Sequence, residues 1–308
     1  MKPLQASSGD LNADRRADYA EMLHASGDHA QAAELLLGAL ELTPLWAVGW
    51  FRLGEFQEAA GALEAAAQAW AMSLTLDPTD RQGAALKLQL IGKTPLADAP
   101  PSAFVETLFD HYAATFDQSL VEKLGYCVPE RLGSAIRMAG PDRFRLVLDL
   151  GCGTGLMGQQ LRPIAERIEG YDISSAMLKK ARVKGVYDVL AKADLRNFSY
   201  SGEKADLITI ADVFIYVGAL DGVVGTVAAM LGASGLFAFS VEKLTDEETM
   251  AGGGFALQPS RRYAHSERYV RRLLDGNGFS LVSLETTAIR QDRNKPVEGL
   301  VVVARLTP

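Results

Sequence analysis

Val147-Leu148-Asp149-Leu150-Gly151-Cys152-Gly153-Thr154-Gly155 is the stretch on which the reading of this chain turns. An apolar run empties into glycines at alternate positions, and a helical pattern starts at Leu156. Glycine has no Cβ, so Gly151, Gly153 and Gly155 predict a tight turn whose backbone amides can lie directly against a bound molecule. From Arg145 onward, short apolar runs alternate with helical patterns, the rhythm of a parallel sheet covered on both faces. Seven strands are expected, over Arg145–Leu150, Arg167–Asp172, Val186–Ala191, Ala205–Ala211, Leu236–Val241, Phe279–Thr287 and Leu300–Arg305. The last two flank a polar stretch, RQDRNKPVEG, too short for a crossover helix, so they must pair antiparallel.

Acids follow the strands at telling places. Asp172 ends the second strand, 21 residues after Gly151, where a carboxylate can accept from both hydroxyls of a ribose. Ala193-Asp194-Leu195 follows the third strand. Gly153-Thr154-Gly155-Leu156-Met157-Gly158 also satisfies GxGxxG, but its first glycine stands two residues beyond the one that ends the strand, a poor register for a dinucleotide site. The spacing D-x-G-x-G-x-G from Asp149 instead resembles motif I of the class I S-adenosylmethionine-dependent methyltransferases. More narrowly, HYAATFDQSLVEKLGYCVPERL, ADVFIYVGAL and RRYAHSERYVRRLL resemble segments of a bacterial family of predicted methyltransferases that carry tetratricopeptide repeats.

The resemblance implies an α/β, Rossmann-like seven-stranded sheet with an antiparallel last strand, occupying 102–308. It implies S-adenosylmethionine as cofactor, with S-adenosylhomocysteine as product. The residues it assigns to cofactor binding are Asp149, Gly151, Cys152, Gly153 and Gly155 in the first turn. Asp172, Ile173, Ala193, Asp194 and Leu195 follow in the next loops, with Asp212 and Val213 after the fourth strand. Tyr112 and Phe116 resemble a lid segment whose aromatics cover the cofactor; the alternative for Phe116 is a buried aromatic stripe.

Ahead of this domain lies an Ala- and Leu-rich region, expected to be all-α. Pro44 and Pro78 stand 34 positions apart, each after a helical pattern ending LELTP or LTLDP, a period that signals a repeat. Trp50, Leu53, Gly54, Ala66 and Trp70 fall where a tetratricopeptide repeat places its large and small interlocking residues. A weaker first copy is carried by Tyr19, Ala20, Gly27, Ala32, Leu36 and Ala39, with Arg16 in place of the usual aromatic. A capping helix is expected over about Arg81 to Ile91. The repeat region is assigned to 1–92 and a proline-rich linker to 93–101. It reads either as a protein-docking groove or as a bundle that self-associates or packs on its neighbour.

Ligands of an open α/β sheet sit beyond the carboxyl ends of its strands, so the remaining candidates are loop residues there. Asp212 is a candidate for contact or proton transfer, or a cap for the following helix. Phe214 and Tyr216 are candidate substrate contacts. His265, placed by the pattern in a loop just before a helix that Ser266 caps, is the candidate base or substrate contact. Arg261, Arg262 and Tyr263 complete the substrate set, and Arg261, Arg262, Arg290, Arg293 and Lys295 form an expected basic rim for an anionic substrate. His24 and His29 are assigned no chemistry.

The chain's 308 residues, 48% apolar and 22% charged, fit two globular domains. Cys127 and Cys152 form neither a disulfide framework nor a metal-ligand pattern, so no metal is expected and a cytoplasmic location fits. The start lacks a signal-peptide apolar core, and glycines break the uncharged run from Gly222 to Val241 into two buried elements, so no membrane association is expected. Residues 1–100 carry 7 basic and 13 acidic side chains, which argues against nucleic acid as a partner. The expected activity is methyl transfer to a small molecule. The alternatives are protein methylation with the repeats holding the polypeptide, a cofactor-binding scaffold without catalysis, and, more distantly, hydride transfer.

Overall fold

A computed structural model describes residues 7–118, 124–245, 254–292 and 294–307. The chain forms two compact units that divide after Phe104. The expected linker, 93–101, holds no helix or strand, and the division falls just beyond it, inside helix α6.

The first unit is all-helical: α1 (Leu11–Ala25), α2 (His29–Leu40), α3 (Ala47–Ala59), α4 (Leu63–Leu76) and α5 (Ala84–Leu90). Helix α1 packs on α2 and α3 on α4, with α2 also against α3. Small residues permit the close approach: Ala13, Ala17, Ala20, Ala32 and Ala39 are buried, and a Cβ on Gly54 would stand 2.3 Å from the Trp70 indole nitrogen. That nitrogen donates to the carbonyl of Phe51. Asp10 caps α1 by accepting from the amides of Asn12 and Ala13, and Asp80 accepts from those of Ala84 and Ala85 at the start of α5.

The second unit opens within α6 (Ser102–Tyr112), which α7 (Val128–Ala139) follows. Then come β1 (Phe144–Leu150), α8 (Leu156–Leu161), β2 (Ala165–Asp172), α9 (Ser175–Lys184), β3 (Val189–Lys192), β4 (Ala205–Ile210), α10 (Asp221–Met230) and β5 (Leu231–Lys243). A short hairpin, β6 (Phe255–Leu257) and β7 (Tyr263–His265), precedes α11 (Glu267–Gly276), β8 (Phe279–Asp292) and β9 (Lys295–Leu306). Strands β3-β2-β1-β4-β5 are parallel, and β9 runs antiparallel between β5 and β8. The order is that of a Rossmann-like sheet, with apolar residues on both faces. Leu146, Leu148 and Leu150 face a core shared with α10 and α11, and Val147 faces one shared with α7 and α8.

The sheet differs from expectation in three respects. Among the described residues it has nine strands rather than seven, because the hairpin β6–β7 pairs onto the carboxyl end of β5 at Glu242 and Lys243. Three-residue strands are too short to show a period, so no sequence pattern marks them. The polar stretch after Thr287 is not a loop: β8 and β9 stay paired through Arg290↔Val297 and Asp292↔Lys295, which puts Arg290 inside the sheet. Of the glycines expected to break the uncharged run, Gly232 and Gly235 lie within β5, whose register against β4 jumps from Ala205↔Leu231 to Leu207↔Leu236. Among the described residues no helix is long and apolar enough to cross a membrane.

Candidate active site

The turn after β1 is left-handed at each glycine, with φ of +75° at Gly151, +54° at Gly153 and +94° at Gly155. Its backbone is sewn to β2, since the amides of Gly151 and Cys152 both donate to the carbonyl of Tyr171. The amide of Gly153 donates to Asp172 at 2.8 Å, and the second Asp172 oxygen accepts from the amide of Ser174 at 2.8 Å. A Cβ on Gly153 would meet nothing within 4 Å, whereas one on Gly151 would stand 2.2 Å from the side chain of Val213. The turn is therefore closed toward the loop after β4 and open at its tip.

Two buried carboxylates frame it. Burial raises Asp172 from 3.8 to about 6, against the two amides that favour its charge. Burial likewise raises Asp149 to about 6, although the hydroxyls of Tyr187 and Thr209 each donate to one of its oxygens, at 2.6 and 2.7 Å. Asp149 thus lies beneath the turn with both oxygens engaged, and its place is as a support. The Tyr187 ring reaches it across Gly158 and Gly170, where a Cβ would come within 2.5 and 2.8 Å of the ring. Gly158, the last glycine of the apparent GxGxxG, therefore makes room for an aromatic ring.

Cys152 is buried in the turn, and burial pushes its thiol well above the ordinary range. Ile173 follows β2 half-buried, and the amide of Ala193 donates to the carbonyl of Asp172. Asp194 caps the short 3-10 turn Leu195–Asn197 through the amide of Arg196, and Leu195 packs against the core. These residues, with Gly151–Gly155, do line adjoining loops at the carboxyl edge.

The segment from α6 brings acids that no sequence motif singles out. Glu106 bonds Lys192 at the end of β3, Asp110 accepts from Ser174 and the amide of Ala176 at the start of α9, and Asp117 bonds Thr154 and pairs with Lys184 at 2.7 Å. One segment is thereby tied to the loops after all three of the first strands. Tyr112 is half-buried near Tyr216, Arg261 and Arg262; burial raises its pKa, with Tyr216 adding and the arginines opposing. Phe109 makes edge contacts with Phe116 and Tyr216.

After β4, Asp212 adopts φ +57° and does not cap the following helix. Its amide donates to Ser240, and Nη1 of Arg290 donates to both its carboxylate oxygens, at 3.0 and 3.1 Å. Arg290 also bonds Glu242, and is 2% exposed. This corrects the basic rim at Arg290, a buried strand residue already paired. Lys295 opens β9 and is exposed, and Arg293 lies outside the described residues.

Three further expectations are corrected. Phe214 is fully buried against Phe237 and Phe239, and Tyr263 is fully buried beside Phe255, so neither reaches a substrate. His265 belongs to β7 rather than a loop, and its side chain is sealed from solvent. Its Nε2 lies 2.9 Å from the carbonyl of Gly218, its Nδ1 has no partner among the described residues, and burial lowers its pKa to about 4. A neutral, enclosed imidazole is no base for chemistry at the edge of the sheet. Ser266 does cap α11, accepting from the amide of Tyr269.

The unforeseen hairpin has a consequence. Its tip carries Arg261, at φ +62°, and Arg262, half-buried and beside Tyr216. Burial opposes the Arg262 charge, but Tyr216, Asp212 and Asp292 outweigh it and hold its pKa above the ordinary value. Arg262, Tyr216 and Tyr112 therefore meet at the same edge as the glycine turn.

A family model described as a methyltransferase domain matches residues 125–284, more than half of the chain. The chain belongs to this family of S-adenosylmethionine-dependent methyltransferases. The chain is 28% identical over 155 residues to a magnesium-protoporphyrin O-methyltransferase of Synechocystis, covering 47% of this chain and 67% of that one. Over 120 residues it is 30% identical to a malonyl-[acyl-carrier protein] O-methyltransferase of Hamiltonella defensa, covering 38% and 44%. The methyltransferase thus spans two-thirds of the first relative and under half of the second. A chain from a Haloferax volcanii complex of a methyltransferase activator with a methyltransferase shares its fold. That likeness has a TM-score of 0.52 at 16% identity, over 65% of this chain and 98% of that one.

Proposed function

We propose that this protein transfers the methyl group of S-adenosylmethionine to a small molecule bearing a carboxylate or phosphate. The carrying observation is Arg262, set by the β6–β7 hairpin beside Tyr216 and Tyr112 at the carboxyl edge of the sheet. A guanidinium there suits bidentate capture of an anion.

The cofactor fits the residues present. The tip of the glycine turn faces open space at Gly153, and Asp172 uses two of its roughly four lone-pair positions on backbone amides, which leaves acceptors for both sugar hydroxyls. Gly151, Cys152, Gly153 and Gly155 would hold the amino-acid end. Asp172 and Ile173 would hold the sugar, and Ala193, Asp194 and Leu195 the adenine. Val213 and Asp212 would border the reacting end, and Tyr112 would cover it. Asp149 would support the turn from below. Bound there, the sulfonium supplies an electrophilic methyl group.

The chain's own residues then position the acceptor and exclude water. With His265 enclosed and Asp212 ion-paired, neither expected base is free to take a proton. That favours an acceptor oxygen already ionised at neutral pH, as in a carboxylate. Both relatives are named as O-methyltransferases, in keeping with an oxygen acceptor. The test is transfer of labelled methyl into a panel of carboxylates, phosphates and neutral analogues. Arg262→Ala should raise the Michaelis constant for an anionic acceptor about 10- to 100-fold, the worth of a charged hydrogen bond, with kcat less affected. An unchanged constant would remove the anionic acceptor.

We read α1–α5 as tetratricopeptide-type repeats that bind a protein partner or a second copy. The support is their small-residue interlock and the exposed Leu11, Tyr19 and Met22 of α1. Free Cys127 and Cys152 suit a reducing, cytoplasmic location.

A further inference from the structure

We propose that Arg290 is a positioning residue for methyl transfer, holding the turn after β4 in the conformation that seats Val213 against Gly151. This rests on the glycine turn being the cofactor site. Arg290 is 2% exposed and lies in β8, yet it gives Nη1 to both oxygens of Asp212 and Nη2 to Glu242 of β5. Glu242 is itself buried. Gathering one cation and two carboxylates in a sheet is costly, and apolar residues of the same volume would serve stability as well or better. A placement role accounts for the arrangement.

What is placed is a backbone. Asp212 is a non-glycine residue at φ +57°, a conformation that L side chains resist. It stays there because its amide is fastened to Ser240 at 2.9 Å and its carboxylate to Arg290. The next residue, Val213, lies so close to Gly151 that a Cβ there would be 2.2 Å from its Cγ2. Glu242, Arg290, Asp212, Val213 and Gly151 thus form a continuous chain of contacts from the carboxyl end of β5 to the turn. Arg290 need touch no ligand to act through it.

The probe is S-adenosylhomocysteine, measured by calorimetry on the full chain, so no acceptor need be known. Arg290→Met should weaken binding about tenfold, the size of a lost charge-assisted contact. Arg290→Lys, which keeps the charge but cannot bridge both partners, should fold and weaken binding about threefold, so the inference is testable even if the Met variant does not fold. In an Asp212→Gly background, where the left-handed turn needs no clamp, Arg290→Met should add less than about twofold. An equal loss in both backgrounds, or Lys and Met variants that melt earlier while binding as wild type does, would overturn the inference and leave Arg290 a structural ion pair. Failure of the wild-type chain to bind would instead overturn the methyltransferase reading on which it rests.

Discussion

Replacing Gly151 by alanine tests the construction of the turn more sharply than any loss of a polar group. At φ +75° an alanine costs about 1–2 kcal/mol through its Cβ alone. That Cβ would also lie 2.2 Å from Val213 Cγ2 and 3.2 Å from Cγ1, so Val213 or the turn must move by more than an ångström. Such overpacking costs about 1–3 kcal/mol, which brings the total to about 2–5 kcal/mol. For a unit of roughly 200 residues this lowers Tm by roughly 5–15 °C. Gly153→Ala is the matched control: φ is +54° but nothing lies within 4 Å, so only the backbone term of about 1–2 kcal/mol applies. Its Cβ would occupy the open tip, so S-adenosylhomocysteine affinity should fall about tenfold in calorimetry despite the milder melting shift. Val213→Ala should relieve the first variant specifically, with a double-mutant interaction of at least about 1 kcal/mol. Strict additivity of Gly151→Ala and Val213→Ala, or equal melting of the two glycine variants, would refute the geometry.

Two further predictions concern protons. Asp172 is raised from 3.8 to about 6, so the stability it contributes is fully present below its unfolded pKa and is lost as pH rises through about 6. The stability difference between wild type and Asp172→Asn, from urea denaturation, should therefore shift against wild type between about pH 4 and about pH 7; a difference independent of pH would contradict it. His265 is lowered from 6.5 to about 4, so its contribution is present above 6.5 and is lost as pH falls through about 4. His265→Gln should leave the pH dependence of kcat unchanged between about pH 6 and about pH 8; a lost limb there would restore His265 as a base.

Much of the scaffold was legible because it repeats a period or a spacing. Strands β1 and β4 are mostly apolar runs, Asp172 falls at the end of β2, and the glycines of the turn all take positive φ. Paired helices in the first unit follow from small residues at helical intervals. The candidate substrate residues fared worse, and for one reason. For Phe214, Tyr263 and His265 the sequence gives only a distance from a strand end, and such a distance does not say which way a side chain points. Glu106, Asp110 and Asp117 look like ordinary surface acids of an amphipathic helix region, and only their partners on three other loops set them apart. Arg290 read as a loop cation because its neighbours are polar, although the β8–β9 pairing continues past it.

By itself the amino-acid order determined the local chemistry: where the backbone can turn left-handed, which runs must be covered on both faces, and that an acid waits at the end of β2. Those properties belong to single residues and near neighbours, so a linear string contains them. Tertiary structure alone decided that Arg290 faces Asp212 across 78 residues, that His265 is enclosed, and that a three-residue strand carries Arg262 to Tyr216. Each of these depends on strand register and on what covers a side chain, and burial is a property of the packed whole rather than of any segment.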